Sequence, residues 1–478
     1  MEIVKDVELN MKTLTQRLTF RPKQVWDEIS PEEKKEAFAM AERYKRFLYL
    51  AKTEREVVGR IQALAEAEGF TEVMEPGKGA RPVMKIFRGK SIALARPGKA
   101  PLEEGIRLIV SHIDAPRLDL KQHPLYESED LSFMKTHYYG GIKKYQWVTR
   151  PLAIHGRIVT SEKLLDIAVG EDGDDPVFTI LDLLPHLSRK VQYDKKLDEA
   201  ILGEKLNVLV GGFPLGDRET EGRFKLSVLN FLHDTYGLIE EDLISAELEV
   251  VPAGKARDVG WDRAFVGGYG QDDRASAFAS LSALLDTKET DVTAVLLFVD
   301  KEEIGSEGAT SAKSIFMESF VADLMSGMGR VPDSQSLRRL LARSKALSAD
   351  VSCALDPDYK EVHEDQNAAR TGYGVCLTKF TGHGGKVGAN DADAEYIGWL
   401  RQVFNRKAVI WQTGELGKVD EGGGGTVAKF LSVYGMEIID CGPPLLSMHS
   451  PFEILHKGDL YMAYKAFQAF LTAASKPE

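Results

Sequence analysis

TAVLLFVDKEEIGSEGA, residues 293–309, is the stretch on which the fold turns. AVLLFV is a continuous apolar run of strand length, and a strand without alternation is one covered on both faces. Two adjacent glutamates, Glu302 and Glu303, stand where that run stops, and Gly305 follows, a residue that lets the chain turn tightly. Runs of the same kind recur: IRLIV before Ser111, DVSCAL before Asp356, AVIWQT before Gly414 and MEIID before Cys441. Helical segments such as RASAFASLSALLD and DLYMAYKAFQAFLTAA alternate with them. Alternating strands and helices predict an α/β fold, a central mixed and mostly parallel sheet flanked by helices. Residues 31–68 read as helical, opened by Ser30-Pro31-Glu32-Glu33 and closed at Gly69.

Residues 118–257 differ. Helical periodicity is weak there, and strand-like pieces (PLAIHGRIVT, FKLSVLN, ISAELEVVPA) are separated by polar turns. This predicts a β-rich domain, 118–257, inserted into an α/β domain formed by 1–117 and 258–478. With 478 residues the chain is long enough for two or three domains. The net charge of −12 argues against a nucleic-acid binder, which carries a basic stripe. Three cysteines without a CxxC pair fit a reducing cytosol. The N-terminal MEIVKDVELNMK lacks the apolar core of a signal peptide, and no run approaches the ~20 apolar residues of a membrane span. A cytoplasmic protein is expected.

Histidines and carboxylates gather next to these runs. SHIDAPRLDLK carries His112 and Asp114; GYGQDDRASAF carries Asp272 just before a helix; DKEEIG carries Glu302 and Glu303; DVSCAL opens on Asp350; CGPPLLSMHSP carries His449. In α/β sheets, sites form at strand ends, so five distant segments can converge. Two imidazoles and three carboxylates without a thiolate suit a borderline divalent metal such as Zn²⁺. A metal pair needs a bridging carboxylate with terminal ligands on each ion. Asp272 can bridge, His112 and Asp350 can complete one ion, and Glu303 and His449 the other. Asp114 can accept the second ring N–H of His112. Successive residues at a strand end point in different directions, so Glu302 is left to face a metal-activated water as general base.

The ordered set SHIDAP, QDDRAS, DKEEIGSEGA, DVSCALDPDY and SMHSP resembles the aminopeptidase I / aspartyl aminopeptidase family of dinuclear zinc exopeptidases, across nearly the whole chain. The resemblance implies two divalent metals per subunit, Zn²⁺ first with Co²⁺ or Mn²⁺ as alternatives. It implies His112, Asp272, Glu303, Asp350 and His449 as ligands and Glu302 as base. It further implies peptide substrates with a free N-terminus, a β-rich dimerisation domain, and a homo-oligomer that is a tetrahedral dodecamer built from dimers. Two departures stand out: the family's L-D-N appears as Gln271-Asp272-Asp273, and Cys353 and Asp356 replace two histidines of its D-M-A-H-A-V-H-P-N, as in a bacterial-type branch. TILDLLPHL aligns with a segment whose histidine reaches a neighbouring subunit's site, which makes His186 that residue.

The sequence holds two further motifs. GGGGTVAKF lacks the Lys-Ser/Thr of a P-loop and reads as a tight turn near the site. Lys386, in TGHGGKVGAND, is a candidate for a substrate carboxylate. The expected function is a metallo-aminopeptidase. The alternatives are a related two-metal N-deacylase or carboxypeptidase, and a catalytically silent shell protein.

Overall fold

The computed structural model describes residue 14, residues 17–72 and residues 81–474; the N-terminal stretch 1–12 discussed above lies outside them. AVLLFV forms the strand Ala294–Val299, buried at every position. It lies inside a nine-stranded sheet whose four central strands run parallel: Ala294–Val299, Arg107–His112, Lys345–Ser348 and Glu437–Gly442. Antiparallel partners flank this core: Ser91–Arg96 on one side and Val375–Thr378 on the other.

Alternate residues of each strand enter different cores. Val295, Leu297 and Val299 pack with Phe316, Phe320 and Leu340 of the helices Phe316–Gly327 and Ser334–Ala342. Leu296 and Phe298 pack on the opposite face with residues of the helices Pro31–Leu50, Gln271–Asp286 and Lys457–Leu471. That arrangement explains why these strands show no polar alternation.

The region 31–68, expected as one helical stretch, is two helices, Pro31–Leu50 and Glu54–Ala67. Each begins with a capping box, Ser30 with Glu33 and Thr53 with Glu56. Thr53 therefore starts a second helix. DVSCAL also departs from expectation. The longer strand there is Lys345–Ser348; afterwards Ser352–Cys353 pairs in a separate five-stranded sheet and Ala354 makes an isolated bridge to Ala369. Asp350 thus follows a strand of the large sheet instead of opening one.

A seven-stranded sheet takes its strands from Arg117 to Pro252, all antiparallel. FKLSVLN, expected as a strand, lies in the helix Arg223–Tyr236. Its Val228, Leu232 and Tyr236 recur every four residues and pack on that sheet's core. Among the described residues, no helix is long and apolar enough to cross a membrane.

Candidate metal centre

Parallel strands deliver their C-terminal ends to one place. His112 is the last residue of Arg107–His112 and is 2% exposed. Its Nδ1 lies 3.1 Å from the backbone carbonyl of Asp114 and 3.3 Å from Asp114 Oδ1. A carbonyl only accepts, so Nδ1 carries the hydrogen and Nε2 is turned to Asp272 Oδ1, 3.1 Å away. His449 is set the same way. Its Nδ1 lies 2.9 Å from the carbonyl of Gly141, and its Nε2 lies 3.3 Å from Asp272 Oδ2 and 3.4 Å from Glu303 Oε2. Asp272 therefore presents one carboxylate oxygen to each imidazole. Although it sits at the start of the helix Gln271–Asp286, its backbone is extended (φ −81°, ψ 111°).

Two groups of donors have their atoms within 4.8 Å of one another: His112, Asp272 and Glu303, and His112, Asp273 and Asp350. The structure thus brings His112, Asp272, Glu303, Asp350 and His449 into one cluster, with His112 and Asp272 buried, Glu303 and Asp350 partly so, the His449 side chain 37% exposed, and Glu302 beside it. Lys301 (φ +70°) and Gly305 (φ +92°) bracket the glutamate pair in left-handed conformations, and His449 itself is left-handed (φ +62°). Non-glycine residues held this way are costly and concentrate at functional sites.

The charges explain what the cluster wants. Burial, with the neighbouring Asp114 and Asp272, pushes the Glu302 carboxyl up to about 7 against the pull of His112. Burial also drives Glu303, Asp350 and Asp273 well above the usual carboxylate range. Asp272 goes the other way: burial opposes ionisation, but hydrogen bonds from His112 and His449 outweigh it. Burial opposes the charge on His449, yet Asp272 and Glu303 raise its ring to about 10. Both oxygens of Asp273 and Oε1 of Glu303 are buried without a partner. Acidic oxygens in excess of two imidazoles, orphaned and out of water, are what a divalent cation neutralises, so the residues fit a metal of the zinc class.

Two buried carboxylates hold the loops in place. Asp114, fully buried, accepts the backbone N–H of Glu302 and of Glu303, each at 3.2 Å, and the Tyr139 hydroxyl at 2.8 Å. Glu453, 1% exposed, accepts Gln271 N–H at 2.6 Å, Asp272 N–H at 3.2 Å and His449 N–H at 2.8 Å. Sequence reasoning missed Glu453, Asp273 and Tyr139. A lone glutamate in the otherwise apolar FEIL and the doublet in QDD were the available signals.

His186 and Lys386 lie elsewhere. His186 is exposed on the short helix Pro185–Ser188 and, among the described residues, makes no hydrogen bond or ion pair with the cluster. Lys386 is half-exposed, 3.1 Å from Asp391 and 3.9 Å from the Phe380 ring centroid. The glycine run 422–425 is coil ahead of the short helix Ala428–Leu431.

Comparisons with known proteins agree in kind. The sequence profile of the aminopeptidase I zinc metalloprotease family (M18) matches residues 47–471. A probable M18 family aminopeptidase 1 of Clostridium acetobutylicum is 48% identical over 456 residues, covering 94% of this chain and 98% of the relative. The crystal structure of an M18 aminopeptidase from Thermotoga maritima superposes with a TM-score of 0.91 at 43% identity, covering 95% of this chain and 99% of that one. The S. cerevisiae mApe1 dodecamer, at 22% identity, shares the fold with a TM-score of 0.72 over 90% of this chain and 95% of that one.

Proposed function

The chain belongs to the aminopeptidase I (M18) zinc metalloprotease family, and from that premise we propose which of its residues hold the metal and which move the proton. The enzyme is a zinc-dependent aminopeptidase, a hydrolase of peptide bonds. In our reading it holds two divalent ions. His112 and Asp350 hold one, Glu303 and His449 the other, and Asp272 lies between them. One observation carries this assignment: the two oxygens of the buried Asp272 face two different imidazoles inside an acid-rich cluster. Bound there, divalent ions supply Lewis acidity to the scissile carbonyl and make water more acidic.

The chain's own residues do the rest. Glu302 neighbours a ligand without being one and lies near enough to both imidazoles for their charges to act on it. It takes a proton from the attacking water and returns it to the amine nitrogen as the C–N bond breaks. Asp114 holds the Glu302 and Glu303 amides so that neither carboxylate drifts. Lys386 is proposed to receive a substrate carboxylate in exchange for Asp391.

Assembly and location are also proposals. The segment containing His186 exposes Leu181, Leu183, Leu184, Leu187, Val191 and Tyr193. An apolar surface of this extent suits cover by a second copy, which would carry His186 toward a neighbouring site. A tetrahedral dodecamer built from dimers and a cytoplasmic location complete the reading; the S. cerevisiae protein that shares the fold is itself a dodecamer. A monomeric mass in solution would sink the assembly.

The test of function is hydrolysis of Leu, Met, Asp and Glu amides with added Zn²⁺, Co²⁺ or Mn²⁺ and a chelator control. Chelator-sensitive release of a single N-terminal residue is expected, and the best substrate assigns the pocket. Cleavage of N-acylated amino acids alone would replace this reading with a deacylase.

A further inference from the structure

Three consecutive residues at the end of the strand Leu131–Tyr139 connect the seven-stranded sheet to the metal centre. The Tyr139 hydroxyl donates to Asp114 Oδ2 at 2.8 Å, and that same carboxylate accepts the Glu302 and Glu303 amides. Gly140 has φ +74°, and a Cβ there would stand 3.3 Å from Glu303 Cβ and 3.4 Å from Pro116 Cα. Only glycine passes this close in this conformation. Gly141 receives the His449 Nδ1 hydrogen on its carbonyl at 2.9 Å, and a Cβ there would stand 3.2 Å from that nitrogen.

The anchor of this segment is equally specific. Arg117 is the cross-strand partner of Tyr139, and its guanidinium carbon lies 4.0 Å from the ring centroid. Arg117 is buried and lies 2.7 Å from Asp119, 3.2 Å from Glu249 and 3.4 Å from Glu54. Glu54 is the first residue of the helix Glu54–Ala67, which packs on the nine-stranded sheet. The ring is thus clamped between a cation tied to its own sheet and to the helix Glu54–Ala67, and a carboxylate tied to the base loop.

We infer that Tyr139, Gly140 and Gly141 form a positioning strap, through which the seven-stranded sheet aims Asp114, Glu303 and His449. None of the three belongs to either group of metal donors. Tyr139 fixes the carboxylate from which the glutamate loop hangs. Gly140 lets the chain lie against Glu303. Gly141 fixes the tautomer of His449 and turns Nε2 inward. The inference rests on the metal centre proposed above.

Two single-atom changes in the full-length protein test it. Tyr139→Phe removes one oxygen, and Gly141→Ala adds one carbon against His449. Zinc affinity is read by competition with a chromophoric chelator, kcat and KM are measured separately, and thermal unfolding is followed without metal. For both variants the expected result is zinc affinity weakened roughly 10–100-fold. For Tyr139→Phe, kcat falls while KM stays within about twofold. Zinc affinity and kcat both within about twofold of the parent overturn the strap. So does a lowered Tm with unchanged zinc affinity, which is what a merely structural tyrosine would give. If Gly141→Ala fails to fold, Tyr139→Phe alone decides. Asp272→Asn separates the two readings: if it keeps zinc as the parent does, the metal centre itself is wrong and the strap falls with it.

Discussion

The two large sheets of this molecule divide the work unequally. The nine-stranded sheet is saturated on both faces and sends its parallel strand ends to one point. Among the described residues, the seven-stranded sheet contributes nothing to either group of metal donors. It supplies the hydroxyl and the carbonyl that hold those donors. The seven-stranded sheet meets the helix Glu54–Ala67, which packs on the nine-stranded sheet, along an ionic seam. Lys52, just before that helix, pairs with Glu171, Arg55 with Glu247, and Glu56 lies 2.7 Å from His155, which is itself 3.0 Å from Glu171. Greasy contacts tolerate sliding, whereas hydrogen-bonded charges do not, because a shifted charge is left unpaired out of water. The difference teaches that donor chemistry and donor aim are stored in different sheets, joined by a seam that fixes register.

The sharpest way to break that division is at Glu302, on the nine-stranded side. Glu302→Gln is expected to lower kcat by roughly 10³–10⁴-fold with metal content unchanged, as measured by steady-state kinetics and elemental analysis. Turnover like the parent's in a metal-replete variant would place the base elsewhere. The next largest effect is at the seam. Lys52→Met strips Glu171 of its lysine, leaving it only His155 and the Gly254 N–H, and should cost about 3 kcal/mol in chemical denaturation. A change near zero would show the seam to be incidental.

Glu453→Gln puts donors where backbone N–H groups now donate to Glu453, and should weaken zinc binding about 10–100-fold, read by chelator competition. The smallest effect is on pH dependence. Burial works against a charge on His155, but hydrogen bonds to Glu171 and Glu56 raise its pKa above 6.5. A raised folded pKa stabilises fully below pH 6.5 and is lost as pH climbs through the raised value, so Tm should fall over that window. His155→Gln should flatten that fall; an unchanged slope would assign it to other groups.

Much of this was legible in the chain, for reasons that can be named. AVLLFV announced a strand covered twice because both of its faces are apolar, and every donor segment but the one carrying Asp272, which opens a helix, follows or borders such a run. A carboxylate or imidazole beside a run of that kind is conspicuous. FKLSVLN misled because seven residues are too few to show a repeat of four; Val228, Leu232 and Tyr236 reveal the helix only when the window reaches Tyr236. Glu453 stayed hidden because it acts on backbone N–H groups, which every residue but proline carries and no sequence displays. Tyr139 stayed hidden because its partner, Asp114, lies 25 residues away across a hairpin.

The insertion has a consequence for anyone wishing to shrink or transplant this enzyme. All nine strands of the larger sheet, and every proposed ligand, lie outside the proposed insertion 118–257. An excised version would therefore look complete on an inventory of strands and ligands. It would nonetheless have shed the hydroxyl of Tyr139 and the carbonyl of Gly141, leaving both histidines present and one of them free to turn. The smallest portable form of this centre is the ligand set together with the hairpin that steadies it.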